Sequence, residues 1–241
     1  LTGIFEYQLK NDSFNMLCIN NDDSSVVKTF WKKKIHEINA LNFWYKISKK
    51  TGIFIDIGSH TGLYTLCAKK ANLDNIVIFI EPQYDNVLRT TTNLRLNNLL
   101  SGTEFINAAC SDYEGRGNFT DFSSVRKGYH YQGGKLEKEG RVVQVIKLDG
   151  IRLDSINKKV RGIKIDCEGE ELKILKGGKK LIKSNYPDLI IEIRENNKLE
   201  IQEFLIDLGY NIYLETNLDK KIDLSTYNNF EVKNIIANKE D

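Results

Sequence analysis

The sequence predicts an α/β protein built on a mostly parallel sheet with helices on both faces. Three observations lead there. Nearly continuous apolar runs of strand length recur at residues 53–57, 76–80, 163–165 and 189–193, as expected for strands buried on both sides. Segments of helical length separate them. Strand and helix alternate from residue 52 to residue 108, the order of a parallel sheet with helical crossovers. The chain has 241 residues, enough for one large domain or two small ones of ~100–200 residues.

Residues 3–20 alternate apolar and polar around Lys10, Asn11, Asp12 and Ser13, the pattern of a β-hairpin with a polar turn. Residues 23–50 look mostly helical, with Ile35, Ile38, Leu41 and Trp44 or Tyr45 recurring on one face. Residues 1–50 are therefore expected to form a hairpin-and-helix cap on the substrate side of a main domain spanning residues 51–241. In that domain strands are expected at 53–57, 76–81 and 103–108, with helices at 62–71 and 84–97. Residues 112–140 break the rhythm. They hold Gly115, Gly117, Gly128, Gly133, Gly134 and Gly140 around Tyr129, His130 and Tyr131, and read as a long lid or binding loop. Strands resume at 141–147, 163–166 and 189–193, with helices at 170–175 and 199–208. Residues 212–214 and 230–237 supply the last strands.

Composition excludes several classes. The 35 basic and 33 acidic residues leave a net charge of +2, so no strong field draws in nucleic acid or an anionic membrane. Hydrophobic residues make up 41% and charged residues 28%, which suits a folded chain and not a disordered one. No stretch approaches the ~20 apolar residues of a membrane span, and no basic-then-apolar leader opens the chain. Cys18, Cys67, Cys110 and Cys167 show no C-x-x-C spacing. They read as buried thiols of a reducing, cytoplasmic protein rather than zinc ligands. The chain begins at Leu1 rather than Met, which fits a domain of a longer polypeptide.

The strongest chemical signal is Asp56-Ile57-Gly58-Ser59-His60-Thr61-Gly62, set between a buried strand and a helix. Glycine permits the sharp turn and the close approach of a ligand, and the helix N-terminus offers N–H groups to an anion. The dinucleotide fingerprint G-x-G-x-x-G is absent. Glu81 ends the next strand, where a carboxylate can accept both hydroxyls of a ribose. Beyond the third strand, residues 108–112 leave room for a purine, with Asp112 placed to meet its amino group. Asn86 and Ser111 complete the candidate cofactor contacts. Asp166 and Glu192 end the next two strands at the same edge, and Glu168 follows two residues after Asp166. Carboxylates gathered in one cleft can hold a cation, orient a hydroxyl or act as a general base. Glu170 and Glu171 read as helix-terminal charges. His130, between two tyrosines, is a further candidate base.

Residues 54–66 (FIDIGSHTGLYTL), 79–97 (FIEPQYDNVLRTTTNLRLN), 108–115 (AACSDYEG), 153–156 (LDSI), 162–178 (GIKIDCEGEELKILKGG) and 187–193 (PDLIIEI) together resemble S-adenosylmethionine-dependent methyltransferases of the FkbM family. The D-x-E-G-x-E run at 166–171 is the most specific part. The family usually reads G-A-N-x-G where this chain has Gly58-Ser59-His60-Thr61-Gly62, so His60 replaces an asparagine that normally helps bind the cofactor. The resemblance implies a Rossmann-like class I methyltransferase sheet of seven strands with a C-terminal antiparallel hairpin. It implies S-adenosyl-L-methionine as methyl donor, and O-methylation of a sugar, glycan or polyketide-type acceptor, often in polysaccharide synthesis beside a glycosyltransferase. Asp56, Gly58, Ser59, His60, Gly62, Glu81, Asn86, Ser111 and Asp112 are the expected cofactor contacts. Asp166, Glu168, Glu192 and His130 are the expected catalytic groups. A divalent cation such as Mg²⁺ held by Asp166 or Glu192 stays open beside direct base catalysis. An NAD-dependent oxidoreductase and a non-catalytic nucleotide-binding module are the rival readings.

Overall fold

A computed structural model describes residues 1–9, 12–32, 37–121, 133–153, 156–227 and 233–239. The chain opens with β1 (Gly3–Gln8) and β2 (Ser13–Cys18), paired antiparallel so that Tyr7 faces Phe14. Helices α1 (Ser24–Lys32) and α2 (Ile38–Ser48) follow; Ile35 lies outside the described residues. The main sheet starts with β3 (Ile53–Ile57), α3 (Leu63–Ala71), β4 (Ile76–Ile80), α4 (Tyr84–Leu96) and β5 (Thr103–Ile106). Four strands come next: β6 (Ala109–Cys110), β7 (Gly115–Asp121), β8 (Gly134–Glu137) and β9 (Arg141–Ile146). The chain then runs through β10 (Val160–Ile165), α5 (Glu171–Gly177), α6 (Lys179–Asn185), β11 (Asp188–Ile193), α7 (Lys198–Asp207), β12 (Asn211–Leu214), β13 (Asn217–Lys221) and β14 (Lys233–Asn238).

The main sheet has the order β13-β12-β14-β11-β10-β3-β4-β5. Strands β5, β4, β3, β10 and β11 are parallel, and β14 enters antiparallel between β11 and β12. This is the expected mostly parallel sheet with its antiparallel C-terminal pair. It has eight strands rather than seven because β13 turns back on β12 at the polar edge.

The period-2 alternation of β3 sorts the core. Ile53, Ile55 and Ile57 face a layer containing Ile163, Ile165, Ile174, Leu175 and Leu205. Phe54 faces the other way, into a layer with Trp44, Leu66, Phe79, Tyr7, Phe14 and Met16. The N-terminal hairpin and α2 thus share a core with the sheet. Trp44 is fully buried, stands edge-on to Phe54 at 5.3 Å and donates from its indole N–H to the Tyr64 carbonyl at 3.0 Å. Arg89 of α4 reaches back to Asp22 at 2.6 Å and to the Leu17 carbonyl at 3.0 Å, tying the hairpin to the sheet's helical layer.

The glycine-rich stretch differs from the long loop expected of it. Strands β7, β8 and β9, with β6, form a separate four-stranded sheet in the order β6-β9-β7-β8. Gly117, Gly134 and Gly140 mark crowding rather than looseness. A Cβ on Gly134 would lie 2.4 Å from the Phe119 ring, and one on Gly140 would lie 2.4 Å from the Phe119 carbonyl oxygen. Residues 122–132, including His130 with Tyr129 and Tyr131, lie outside the described residues. All four cysteines are free thiols, three of them buried. No helix among the described residues is long and apolar enough to cross a membrane.

Because Trp44 joins the N-terminal segment to the sheet, Trp44→Ala is expected to cost about 3–5 kcal/mol. Urea unfolding should still show a single transition. Separate melting of an N-terminal unit would contradict the shared core.

Candidate active site

The carboxyl ends of β3, β4 and β10 open into one cavity. Asp56, Gly58, Ser59, His60, Glu81, Asp166, Glu168 and Glu192 line it, with Ala108, Ala109 and Cys110 at one end. Gly62, Asn86, Ser111 and Asp112 do not line it among the described residues.

The turn after β3 is fixed from several sides. Gly58 has φ +73°, and a Cβ there would lie 2.0 Å from the Asp166 carbonyl oxygen. Only glycine permits that approach of the turn to the end of β10. The Gly58 N–H donates to the Ile80 carbonyl at 2.9 Å. His60, at φ 50°, donates its backbone N–H to Glu81 Oε2 at 2.9 Å, and the Gln83 N–H donates to Glu81 Oε1 at 2.8 Å. Gly62, at φ +88°, leads into α3, and a Cβ there would meet the Thr90 methyl at 2.6 Å. Thr90 Oγ1 donates to the His60 carbonyl at 3.0 Å, and Asn93 Nδ2 donates to the Thr61 carbonyl at 2.9 Å. Thr61 Oγ1 donates to the fully buried Asp23 at 2.5 Å, so the segment before α1 also grips the turn.

Asp56 does structural work from the cavity wall. Its Oδ2 accepts from the Thr65 N–H at 2.9 Å and the Thr65 hydroxyl at 2.7 Å, which anchors the first turn of α3. Burial pushes its carboxyl up to about 6. Asn86 is buried and bonds Gln83 at 2.9 Å, so it supports the loop after β4. Ser111 is buried and donates to Glu170 Oε2 at 2.8 Å, while Asp112 is exposed. Glu171 closes the turn after β10 by accepting from the Cys167 and Gly169 N–H groups at 3.1 and 3.0 Å.

At the other end of the cavity the carboxylates are interleaved with cations. Lys164 is 1% exposed, stands opposite Asp56 in the β10–β3 register, and reaches Asp166 Oδ2 and Asn234 Oδ1, each at 3.3 Å. Burial alone would lower its ammonium, but the charges of Asp166, Glu37, Glu192 and Asp56 hold it above its ordinary value. Arg194 bonds Glu168 at 2.5 Å and Glu192 at 3.3 Å. Burial first, then the charge of Asp166, pushes the Glu192 carboxyl up to about 8. Glu37, from the link between α1 and α2, joins this group: carboxylate oxygens of Glu37, Asp166 and Glu192 lie within 4.8 Å of one another.

Sequence reasoning missed Lys164, Arg194, Glu37 and Asp23. Lys164 had a signal, since a charge inside a strand buried on both faces needs a buried partner. Arg194 shares a strand-face parity with Glu192. Nothing local marked Glu37 or Asp23.

The cavity fits an adenosyl cofactor on its own chemistry. Glu81 is 5% exposed at the end of β4, and burial pushes it up to about 7, a group that hydroxyl donors would stabilise as the anion. The Ser59 hydroxyl oxygen is buried with no hydrogen-bond partner, beside a turn that only glycine can make. Small side chains at Ala108 and Ala109 leave space next to it. Fold and cleft together are those of a class I S-adenosylmethionine-dependent methyltransferase. Residues 56–212 match the methyltransferase FkbM domain, and the chain belongs to that family. Among solved structures, the methyltransferase FkbM of Methylobacillus flagellatus KT is similar with a TM-score of 0.54 at 19% identity. That match covers 78% of this chain and 43% of the other, so the chain spans less than half the length of that relative. A SAM-dependent methyltransferase of Agrobacterium tumefaciens gives 0.53 at 9% identity over 100% and 71% of the two chains. The precorrin-6y C5,15-methyltransferase of Geobacter metallireducens GS-15 gives 0.50 at 14% identity over 86% and 90%. These likenesses are likenesses of fold. No curated protein matches the chain in sequence.

The raised carboxyls set a pH dependence of stability. Asp56, Glu81 and Glu192 rise to about 6, 7 and 8 in the folded protein, against ~4 in an unfolded chain. Between pH 8 and pH 6 the folded state therefore binds protons that the unfolded state does not, and stability increases as pH falls. The cofactor-free protein is expected to melt at a higher temperature at pH 6 than at pH 8, with a smaller difference in Glu81→Gln. A melting temperature that drops across this window would contradict the assignment.

Proposed function

We propose that the protein transfers a methyl group from S-adenosylmethionine to a hydroxyl of a glycan or glycoconjugate. One observation carries this reading. A single cavity joins Glu81 at the end of β4 to the Asp166–Glu192 pair at the ends of β10 and β11, so a donor and an acceptor can meet within it. The cofactor supplies a methyl group already activated on a sulfonium. Glu81 accepts the two ribose hydroxyls while its other lone pairs keep the His60 and Gln83 N–H groups. Ser59 Oγ and the N-terminal turn of α3 face the amino-acid end of the donor.

A sugar hydroxyl is a weak nucleophile, so the acceptor end must remove a proton as the new bond forms. Glu192 suits that task. Its carboxyl at about 8 is a far stronger base than an ordinary glutamate, and a base matched to the working pH contributes ~10²–10⁴-fold. Arg194 bonds it at 3.3 Å, the nearby charge of Asp166 keeps its affinity for a proton high, and Lys164 offsets the crowding of negative charge. With Lys164 and Arg194 already standing among the carboxylates, direct base catalysis is favoured over a bound divalent cation. A His130 contribution stays a proposal, since that residue lies outside the described segment. A glycosyltransferase working with this domain, in the same chain or beside it, would supply the acceptor.

Glu81→Gln should weaken S-adenosylhomocysteine binding by ~1–3 kcal/mol, the scale of losing hydrogen bonds to a charged group, measured by calorimetry. Unchanged affinity removes the ribose assignment, and equal binding of NAD would favour the oxidoreductase reading. In tritiated-methyl transfer to a panel of glycosides, turnover should rise with pH toward about 8, the Glu192 value. Glu192→Gln should lose ~10²–10⁴-fold in kcat along with that rising limb. EDTA should leave the rate unchanged; loss of activity restored by Mg²⁺ would move the mechanism to a metal-activated hydroxyl.

A further inference from the structure

We propose that Glu37 determines acceptor specificity, binding a second hydroxyl of the sugar ring whose neighbouring hydroxyl gives its proton to Glu192. This rests on the reaction proposed above and adds a residue that the family-matched segment, 56–212, does not contain.

Glu37 sits at the N-cap position of α2, with φ 53° and ψ 34°. A carboxylate there ordinarily accepts from the first free N–H groups of the helix. Glu37 makes no such cap. It is turned instead toward α3, where Tyr64 donates its phenol O–H to Glu37 Oε2 at 2.8 Å. Tyr64 is itself held in the core. Its ring lies beneath the Lys164 ammonium at 5.1 Å, and its carbonyl accepts the Trp44 indole N–H at 3.0 Å. The carboxylate is thus aimed into the cavity by a rigid partner, at the cost of a helix cap.

Its position defines what it can bind. Glu37 lines the same cavity as Asp166 and Glu192, with carboxylate oxygens of the three within 4.8 Å of one another. Ionised carboxylates only accept hydrogen bonds. A molecule placed between them must present hydrogen-bond donors, and an anionic group would meet three carboxylates whose neighbouring cations, Lys164 and Arg194, are already bonded to Asp166, Glu168 and Glu192. Neighbouring hydroxyls of one uncharged sugar ring meet that requirement. A phosphate or uronate at this end does not. The chemical class is therefore a neutral vicinal diol, with Glu192 taking the proton of one oxygen as that oxygen gains the methyl group, and Glu37 fixing the other.

The test uses the full chain, methyl hexosides with a free vicinal diol, and their monodeoxy counterparts. Glu37→Gln should leave S-adenosylhomocysteine affinity close to wild type and raise the diol KM by about tenfold or more, the scale of one hydrogen bond to a charged group, with kcat falling by less than KM rises. One monodeoxy acceptor should show that raised KM with the wild type and no further change with Glu37→Gln. A folding defect would lower kcat and cofactor affinity together and spare this pattern of non-additivity. An unchanged diol KM, or equal added penalties for the diol and both deoxy acceptors, overturns the assignment. Failure of the wild type to methylate any hydroxylated acceptor while still binding S-adenosylhomocysteine would instead overturn the reaction, and with it this role.

Discussion

The cleft depends on one close approach, the packing of the turn after β3 against the end of β10. With 2.0 Å between a hypothetical Gly58 Cβ and the Asp166 carbonyl oxygen, no side chain is possible at that position. The contact places the cofactor turn and the carboxylate strand end at a fixed separation. The rest follows from it. The Gly58 and Ser59 N–H groups reach the Ile80 carbonyl, which draws the end of β4 alongside. That in turn brings Glu81 under the His60 N–H. A backbone-to-backbone contact of this kind resists rotamer motion, so the Glu81 and Asp166 ends of the cavity keep their spacing, as the proposed transfer would require.

Electrostatics in the cleft are arranged as a balance rather than a simple acidic patch. Burial alone would drive these carboxyls toward neutrality. Lys164 counters this from the cavity wall, bonded to Asp166 and Asn234, and Arg194 counters it through Glu168 and Glu192. Lys164 and Asp166, and likewise Glu192 and Arg194, stand two residues apart in the chain at the ends of β10 and β11, a spacing that follows the two-residue repeat of a strand, while Arg194 also crosses from the end of β11 to Glu168 beyond β10. Burial raises the Glu192 carboxyl first, and the charge of Asp166 raises it further against the pull of Lys164 and Arg194, which leaves it at about 8.

The parts of this structure legible in sequence are those that backbone geometry enforces. Strands β3, β4, β10 and β11 announced themselves as apolar runs because burial on both faces leaves no room for alternation. Asp56, Gly58 and Glu81 stood out because they interrupt those runs where the chain must turn. Residues 115–121 and 134–137 form strands where the glycines suggest a loop, for a physical reason. Glycine permits loose loops, but it also permits strands to pass close to bulky neighbours, and Gly134 and Gly140 serve Phe119 in that second way. Asp112 and Ser111 were placed at the cofactor by the order of the chain. In the fold, the chain leaves the main sheet at Ile106, and β6 pairs with β9 instead. Ser111 is carried to Glu170 and Asp112 to the surface. Glu37 and Asp23 carried no sequence signal, because their partners Tyr64 and Thr61 lie more than a helix away and only the tertiary fold joins them.

A division of labour within the chain follows from these contacts. The turns after β3 and β4 and the start of α3 form a frame whose hydrogen bonds are mostly to backbone, so they tolerate little change. Pieces attached to that frame wall the rest of the cavity. Ser25, Lys28 and Glu37 come from the N-terminal segment, and Phe119, Lys135 and Leu136 come from the small sheet, where Phe119 packs with Ala109. Side chains make these walls, and side chains can change without moving the frame. The N-terminal segment is nonetheless tied firmly down. Asp23 bonds Thr61 in the cofactor turn with one oxygen and the Val26 N–H at the start of α1 with the other. A wall anchored to the donor turn cannot drift independently of it. In the proposed reaction, replacing residues on such a wall would change what fits the cavity while the turns after β3 and β4 keep their positions.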